Sequence, residues 1–174
     1  MANVDNPHGL RPLMRTLSGG VPHVQLFKKV VGYGTALFMW DAVFRVADGS
    51  VDKSGTPGTT LYSGVNLNHG AASKATEHLV IVAPDAVFEC QDNADTDGFA
   101  EADMGLNVNL ELNAGSATLL TSGHELDEST VDVTNSLDVH MLQKLDVPDN
   151  DYGAHLRVEI VFNKHRMGLV AVGV

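Results

Sequence analysis

Asn93-Ala94-Asp95-Thr96-Asp97-Gly98 has the spacing with which an EF-hand calcium loop begins. Oxygen ligands at alternate positions, followed by glycine, suit a hard cation of high coordination number. Such a loop closes with a bidentate Glu at its twelfth position, and counted from Asn93 that residue is Met104. Without the closing ligand the run reads as a solvated acidic turn. His124-Glu125 starts like the zinc-protease helix motif, but the position of the second His is Glu128. The acidic residues Glu125 to Glu128 could supply a carboxylate pair for hydrolysis, yet no spacing selects one pair over another. Cys90 follows Phe88 in an apolar alternation and reads as a buried thiol rather than a nucleophile. No G-x-S-x-G elbow occurs. Gly32-Tyr33-Gly34 lacks the third glycine of a dinucleotide fingerprint. His155 and His165 flank the last strand candidate without ligand spacing. The residues therefore assign no catalytic group, no metal ligand and no cofactor site.

The elements that would carry these residues are short and mostly extended. Leu137, Val139 and Met141 alternate with Asp138, His140 and Leu142. Leu156, Val158, Ile160 and Phe162 alternate with Arg157, Glu159, Val161 and Asn163. A period of two puts each set on opposite faces of a strand. The intervening Val147-Pro148-Asp149-Asn150-Asp151-Tyr152-Gly153 has turn chemistry, so the two runs predict an antiparallel pair with a charged tip. Leu106 to Leu112 alternates with Asn and Glu and predicts a half-buried strand. Residues 23–31, 79–82 and 86–90 predict further strands, 118–120 a weak one, and 99–105 a short helix. Pro7, Pro12 and Pro22 with Gly9, Gly19 and Gly20 predict an extended arm over residues 1–22, anchored by apolar side chains. The expected architecture is mainly β: a compact antiparallel β-barrel or β-sandwich with at most one short helix, forming a single β-rich domain over residues 23–174.

Charge and composition narrow the partners. A net charge of −11 argues against a nucleic-acid backbone, which requires clustered Lys and Arg. No run approaches the roughly 18–20 apolar residues that span a bilayer. The N-terminus has no signal-peptide pattern, and one cysteine makes no internal disulfide, which suits synthesis in a reducing cytoplasm.

Asn3-Val4-Asp5-Asn6-Pro7-His8-Gly9-Leu10-Arg11-Pro12 resembles the opening of a family of tailed-bacteriophage virion proteins, the structural cement or capsid decoration proteins. The resemblance continues in Pro84-Asp85-Ala86-Val87-Phe88-Glu89, Asp103-Met104-Gly105, Ser122-Gly123-His124-Glu125-Leu126-Asp127, Pro148 to Ala154 and Asn163-Lys164-His165. It implies a non-enzymatic virion protein, made in the bacterial host cytoplasm, that binds the major capsid protein and copies of itself, with a trimer as the first expectation. It transfers no active site. On that reading the contact residues are Val4, Pro7, Leu10, Arg11, Leu13 and Arg15 of the arm, with Pro148, Asp149, Asn150, Asp151 and Tyr152 of the tip. Deleting the arm is expected to abolish docking and leave the β-domain folded. The alternative is a β-sandwich displayed on a virion or cell surface that binds a ligand or glycan, for which an exposed aromatic platform at Tyr62 or Tyr152 is expected.

Overall fold

A computed structural model describes residues 3–29, 34–53 and 55–167. Among the described residues, eleven strands fall into two antiparallel sheets. In chain order they are β1 (Arg11–Thr16), β2 (Val24–Lys29), β3 (Ala42–Arg45), β4 (Val51–Lys53), β5 (Gly64–Asn66), β6 (Thr76–Ile81), β7 (Ala86–Gln91), β8 (Asn107–Glu111), β9 (Glu125–Asp132), β10 (Val139–Lys144) and β11 (Arg157–Phe162). The first sheet runs β1-β7-β11-β10-β8-β9 and the second β2-β6-β5-β3-β4. Neither closes into a barrel, so of the two expected architectures the protein adopts the sandwich arrangement. Gly32 and Tyr33 and the apolar tail from residue 168 lie outside the described residues.

The alternation of apolar residues places the main core. Ala86, Phe88 and Cys90 of β7 join Val158, Ile160 and Phe162 of β11 and Val139 and Met141 of β10 in one cluster, which Val65 and Ile81 enter from the second sheet. Each fully buried Val, Leu, Ile or Phe contributes roughly 1.5–3 kcal/mol. A smaller cluster of Phe27, Leu37, Val43, Val51, Val80 and Val82 forms around the second sheet. β10 and β11 pair as expected, with Met141 opposite Ile160.

Three expectations change. Residues 11–16 are an edge strand, with Arg11 opposite Glu89 of β7, and Leu10 is fully buried. Over that stretch the anticipated arm is packed on its own domain, and only one side of it faces solvent. The helix over 99–105 is a single 3-10 turn at Glu101–Asp103. Six or seven residues give too few hydrogen bonds to offset helix nucleation. Residues 118–120 form a turn rather than a strand, with Leu120 at φ 59° and its N–H donating to Ser116 O at 2.8 Å.

All six residues of β7 are buried, although only one face meets the core. Val87, Glu89 and Gln91 point the other way. Glu89 lies under the side chains of His8 and Arg11, and Gln91 under the segment 4–6. The N-terminal residues thus serve as a partial third layer over one end of the sheet.

Candidate interface site

The N-terminal segment and the tip between β10 and β11, separated by more than 130 residues, meet. Asn3 Nδ2 donates to Asp151 O at 2.7 Å and Ala154 O at 2.9 Å, and the Asp151 N–H donates back to Asn3 Oδ1 at 2.9 Å. The Asn6 N–H donates to Gln91 Oε1 at 2.9 Å, while Gln91 Nε2 donates to Val4 O at 2.7 Å. The polar edge of this segment is spent on the domain. Its apolar groups are not: Val4 is 71% exposed, and Pro7 also faces solvent.

The tip is shaped from within. Asn150 is buried; its Nδ2 donates to Leu145 O and Arg157 O, and its Oδ1 accepts the Arg157 N–H. This closes the base of the connection. Gly153 packs against Gly98, where a Cβ would stand 2.0 Å from the Gly153 carbonyl carbon. The acidic turn 93–98 is therefore a buttress for the tip. The turn is tied to β9: the Glu128 carboxylate accepts the Asp97 N–H at 3.1 Å, and Asn93 Oδ1 accepts the Glu128 N–H at 3.3 Å. No group of three or more potential ligands could hold a metal ion among the described residues. Asp92, at the start of this turn, is fully buried. Burial, with Glu128 nearby, pushes its carboxyl up to about 6 against the hydrogen bond from the Ala94 N–H.

Between segment and tip lies a groove of about 520 Å3. Val4, Pro7, Trp40 and Leu119 are among its apolar lining, and Arg11 and Arg157 among its charged lining. Leu119 is 65% exposed. Trp40 is half-buried at φ 72°, and its ring meets His8 edge-on at 6.0 Å. A bulky residue in the left-handed region costs of order 1–2 kcal/mol. Two such residues, Trp40 and Leu120, flank the bridge between Met39 and Thr121.

Beneath the segment runs a row of buried charge. Glu89 and Glu159 sit directly opposite each other across β7 and β11. Arg11 reaches Glu89 at 2.6 Å with His8 Nε2 at 3.0 Å, and Arg15 forms an ion pair with Glu159. The two carboxylates would repel without those cations. Removing the N-terminal strand would strip both arginines from these carboxylates.

Asp41, Ser122 and His124 also converge, fully buried beneath Gly9. His124 Nδ1 accepts the Ala42 N–H at 3.3 Å, which leaves Nε2 to carry the proton towards Asp41 at 3.4 Å. Ser122 hydrogen-bonds Asp41 and not the His ring. The trio is a closed structural knot without the relay order of a serine nucleophile. Burial drives His124 down to about 3 and raises Asp41. Cys90 is buried and its thiol is pushed far up by burial, which suits an inert core residue.

Of the residues singled out from the sequence, Val4, Pro7, Arg11, Pro148 and Asp149 line the groove. Asp151 and Tyr152 are exposed on the tip, the latter with Lys144 Nζ 5.9 Å from its ring centre. Leu13 is half-buried and Arg15 is engaged with Glu159. Leu10 and Asn150 are buried and structural, so neither is a contact residue in this state. Tyr62 is fully buried, stacked on Phe162 at 4.9 Å, and cannot serve as a glycan platform. The groove also takes His8, Gln91, Leu119, His155 and Arg157, which the sequence reading did not assign as contacts. Only Trp40 carried a signal in its type, as a lone tryptophan beside a turn. Comparisons with protein-family models, curated proteins and solved structures find no match.

Proposed function

We propose that this protein is a virion structural protein that binds and stabilises a capsid lattice built of a major capsid protein, and that the groove is its docking face. The observation that carries the reading is convergence. The arm and the tip, the two candidate contact segments among those that carry the resemblance to cement proteins, line one groove with the protein's only tryptophan. Exposed apolar side chains at Val4 and Leu119, set around a half-buried Trp, have the make-up of an interface centre. The rigid sandwich holds that centre in place, and the charged tip supplies a polar rim. Interfaces of this type bury more than about 1,000 Å2 in total, and repetition over a symmetric shell adds avidity.

The test is co-sedimentation of purified protein with assembled shells, for wild type and Leu119→Asp. Leu119 is exposed, so the variant should fold normally and lose binding by about tenfold or more, as placing a carboxylate in an apolar contact does. Failure of the wild type to sediment with shells, or undiminished binding of the variant, refutes the assignment.

A further inference from the structure

One cation of the charged row beneath the N-terminal segment is left over. Arg11 is paired with Glu89 and Arg15 with Glu159. Arg157 stands on the same face of β11 as Glu159, two residues before it and opposite Gln91 of β7. Among the described residues its guanidinium has no ion-pair partner and donates no hydrogen bond. The backbone of Arg157 is fixed instead: its N–H donates to Asn150 Oδ1 at 2.8 Å, and its carbonyl accepts Asn150 Nδ2 at 2.9 Å. The buried Asn150 thus holds the backbone in place while the half-buried arginine side chain lines the groove. A guanidinium has five donors and no acceptor. Partly shielded from water, it gains more from an anion than an open surface cation does.

The groove also has the sign to match. Across the chain, acidic residues outnumber Lys and Arg by 22 to 11. In the groove lining the order is reversed, with Arg11 and Arg157 against Asp149. Exposed Val4 and Leu119 and the half-buried Trp40 stand beside them. A nucleic-acid backbone needs cations in series along its phosphates, whereas this lining offers one unengaged guanidinium among apolar side chains. We propose that the groove takes an acidic, apolar peptide segment: an Asp or Glu carboxylate of the partner meets Arg157, and the apolar side chains flanking it cover Val4, Leu119 and Trp40. The guanidinium fork matches a carboxylate bidentately, and Arg and Trp are residue types on which binding energy concentrates. The inference rests on the reading of the groove as the docking face and adds the chemistry of what docks there.

Selection from a random peptide library on the purified full chain tests this, followed by titration calorimetry with synthetic copies of the enriched peptides. Those peptides should carry Asp or Glu next to apolar residues. Their affinity should fall about tenfold or more in Arg157→Gln, the loss expected for a hydrogen bond to a charged group. Replacing the peptide's acid by its amide should cost a similar factor in wild type and little in Arg157→Gln, where the pair is already broken. The peptide-side change reads the same contact in the unaltered protein, so the result does not hang on how the variant folds. Leu119→Asp should weaken the same peptides, and oligothymidylate should not displace them. A library that yields no acidic sequences, equal affinity of acid and amide peptides, undiminished binding to Arg157→Gln or to Leu119→Asp, or displacement by oligothymidylate overturns the proposal. No shell enters the selection. It can fail while wild type still sediments with shells, and the shell reading can fail while acidic peptides bind.

Discussion

Arg11→Met tests whether the N-terminal strand neutralises the sheet it lies on. Glu89 is fully buried and directly opposite Glu159. At the generic spacing of side chains facing each other across paired strands, about 5.5 Å, and an effective dielectric constant of about 20, two unit charges repel by about 3 kcal/mol. In the native protein Arg11 and His8 oppose that repulsion at Glu89, and Arg15 opposes it at Glu159. Methionine keeps the aliphatic stem of Arg11 and deletes its charge. Removing one partner of a buried pair costs about 3–5 kcal/mol. The Arg11 side chain is 44% exposed, so solvent screening puts the expected loss at the lower end, about 3 kcal/mol. For a chain of this size that is a fall in Tm of about 6–12 °C. Urea unfolding at neutral pH would read it. Glu89→Gln added to Arg11→Met should recover most of the loss, since the uncompensated charge is gone. Burial pushes Glu89 up, but the hydrogen bonds and charges of His8 and Arg11 outweigh it and hold the carboxyl below its ordinary value. A depressed carboxylate stabilises above the unfolded pKa and stops doing so as pH falls through the folded one. The gap between wild type and Arg11→Met should therefore close below about pH 4. A loss under about 1 kcal/mol for Arg11→Met, or no recovery in the double variant, would refute the charge argument, given the usual scale of a screened surface pair.

Asp92 should behave in the opposite sense. Its folded pKa is raised to about 6, so its ionisation opposes folding at neutral pH, and that penalty disappears as pH falls from about 6 towards 4. Asp92→Asn, which keeps an acceptor for the Ala94 N–H, should gain about 1–3 kcal/mol at pH 7 and flatten that limb of the stability profile in pH-dependent denaturation. Asn150→Ala should cost about 2–4 kcal/mol in the same assay, because it leaves the Arg157 N–H and two carbonyl oxygens without their buried partner.

The strands were legible wherever one face is apolar and the other polar. Leu106 to Leu112 and the pair around Met141 and Ile160 announce themselves through period-two alternation, and the two runs flanking the 148–153 turn pair as that turn requires. The acidic turn was recognisable as a turn from the missing twelfth ligand, but not as a buttress, because the Gly98–Gly153 approach joins distant parts of the chain. β1 was misread for a local reason. Pro12 within it and the prolines and glycines on either side favour an irregular segment, and Met14 at φ 55° does interrupt the ladder with β7. What makes it a strand is non-local: an outward face of β7 that carries Glu89 beside Glu159 and needs cations over it.

By itself the sequence determined a β-rich chain and the placement of its best strands. These are properties of spacing along the chain, set by which side chains can share a face. Only the tertiary structure decided that the first strand is part of the sheet, that Leu10 and Asn150 are internal, and that arm and tip share one groove with Trp40. Those outcomes depend on burial and on charge pairing between residues far apart in the chain, energies that arise only when the sheets have brought them within a few ångströms.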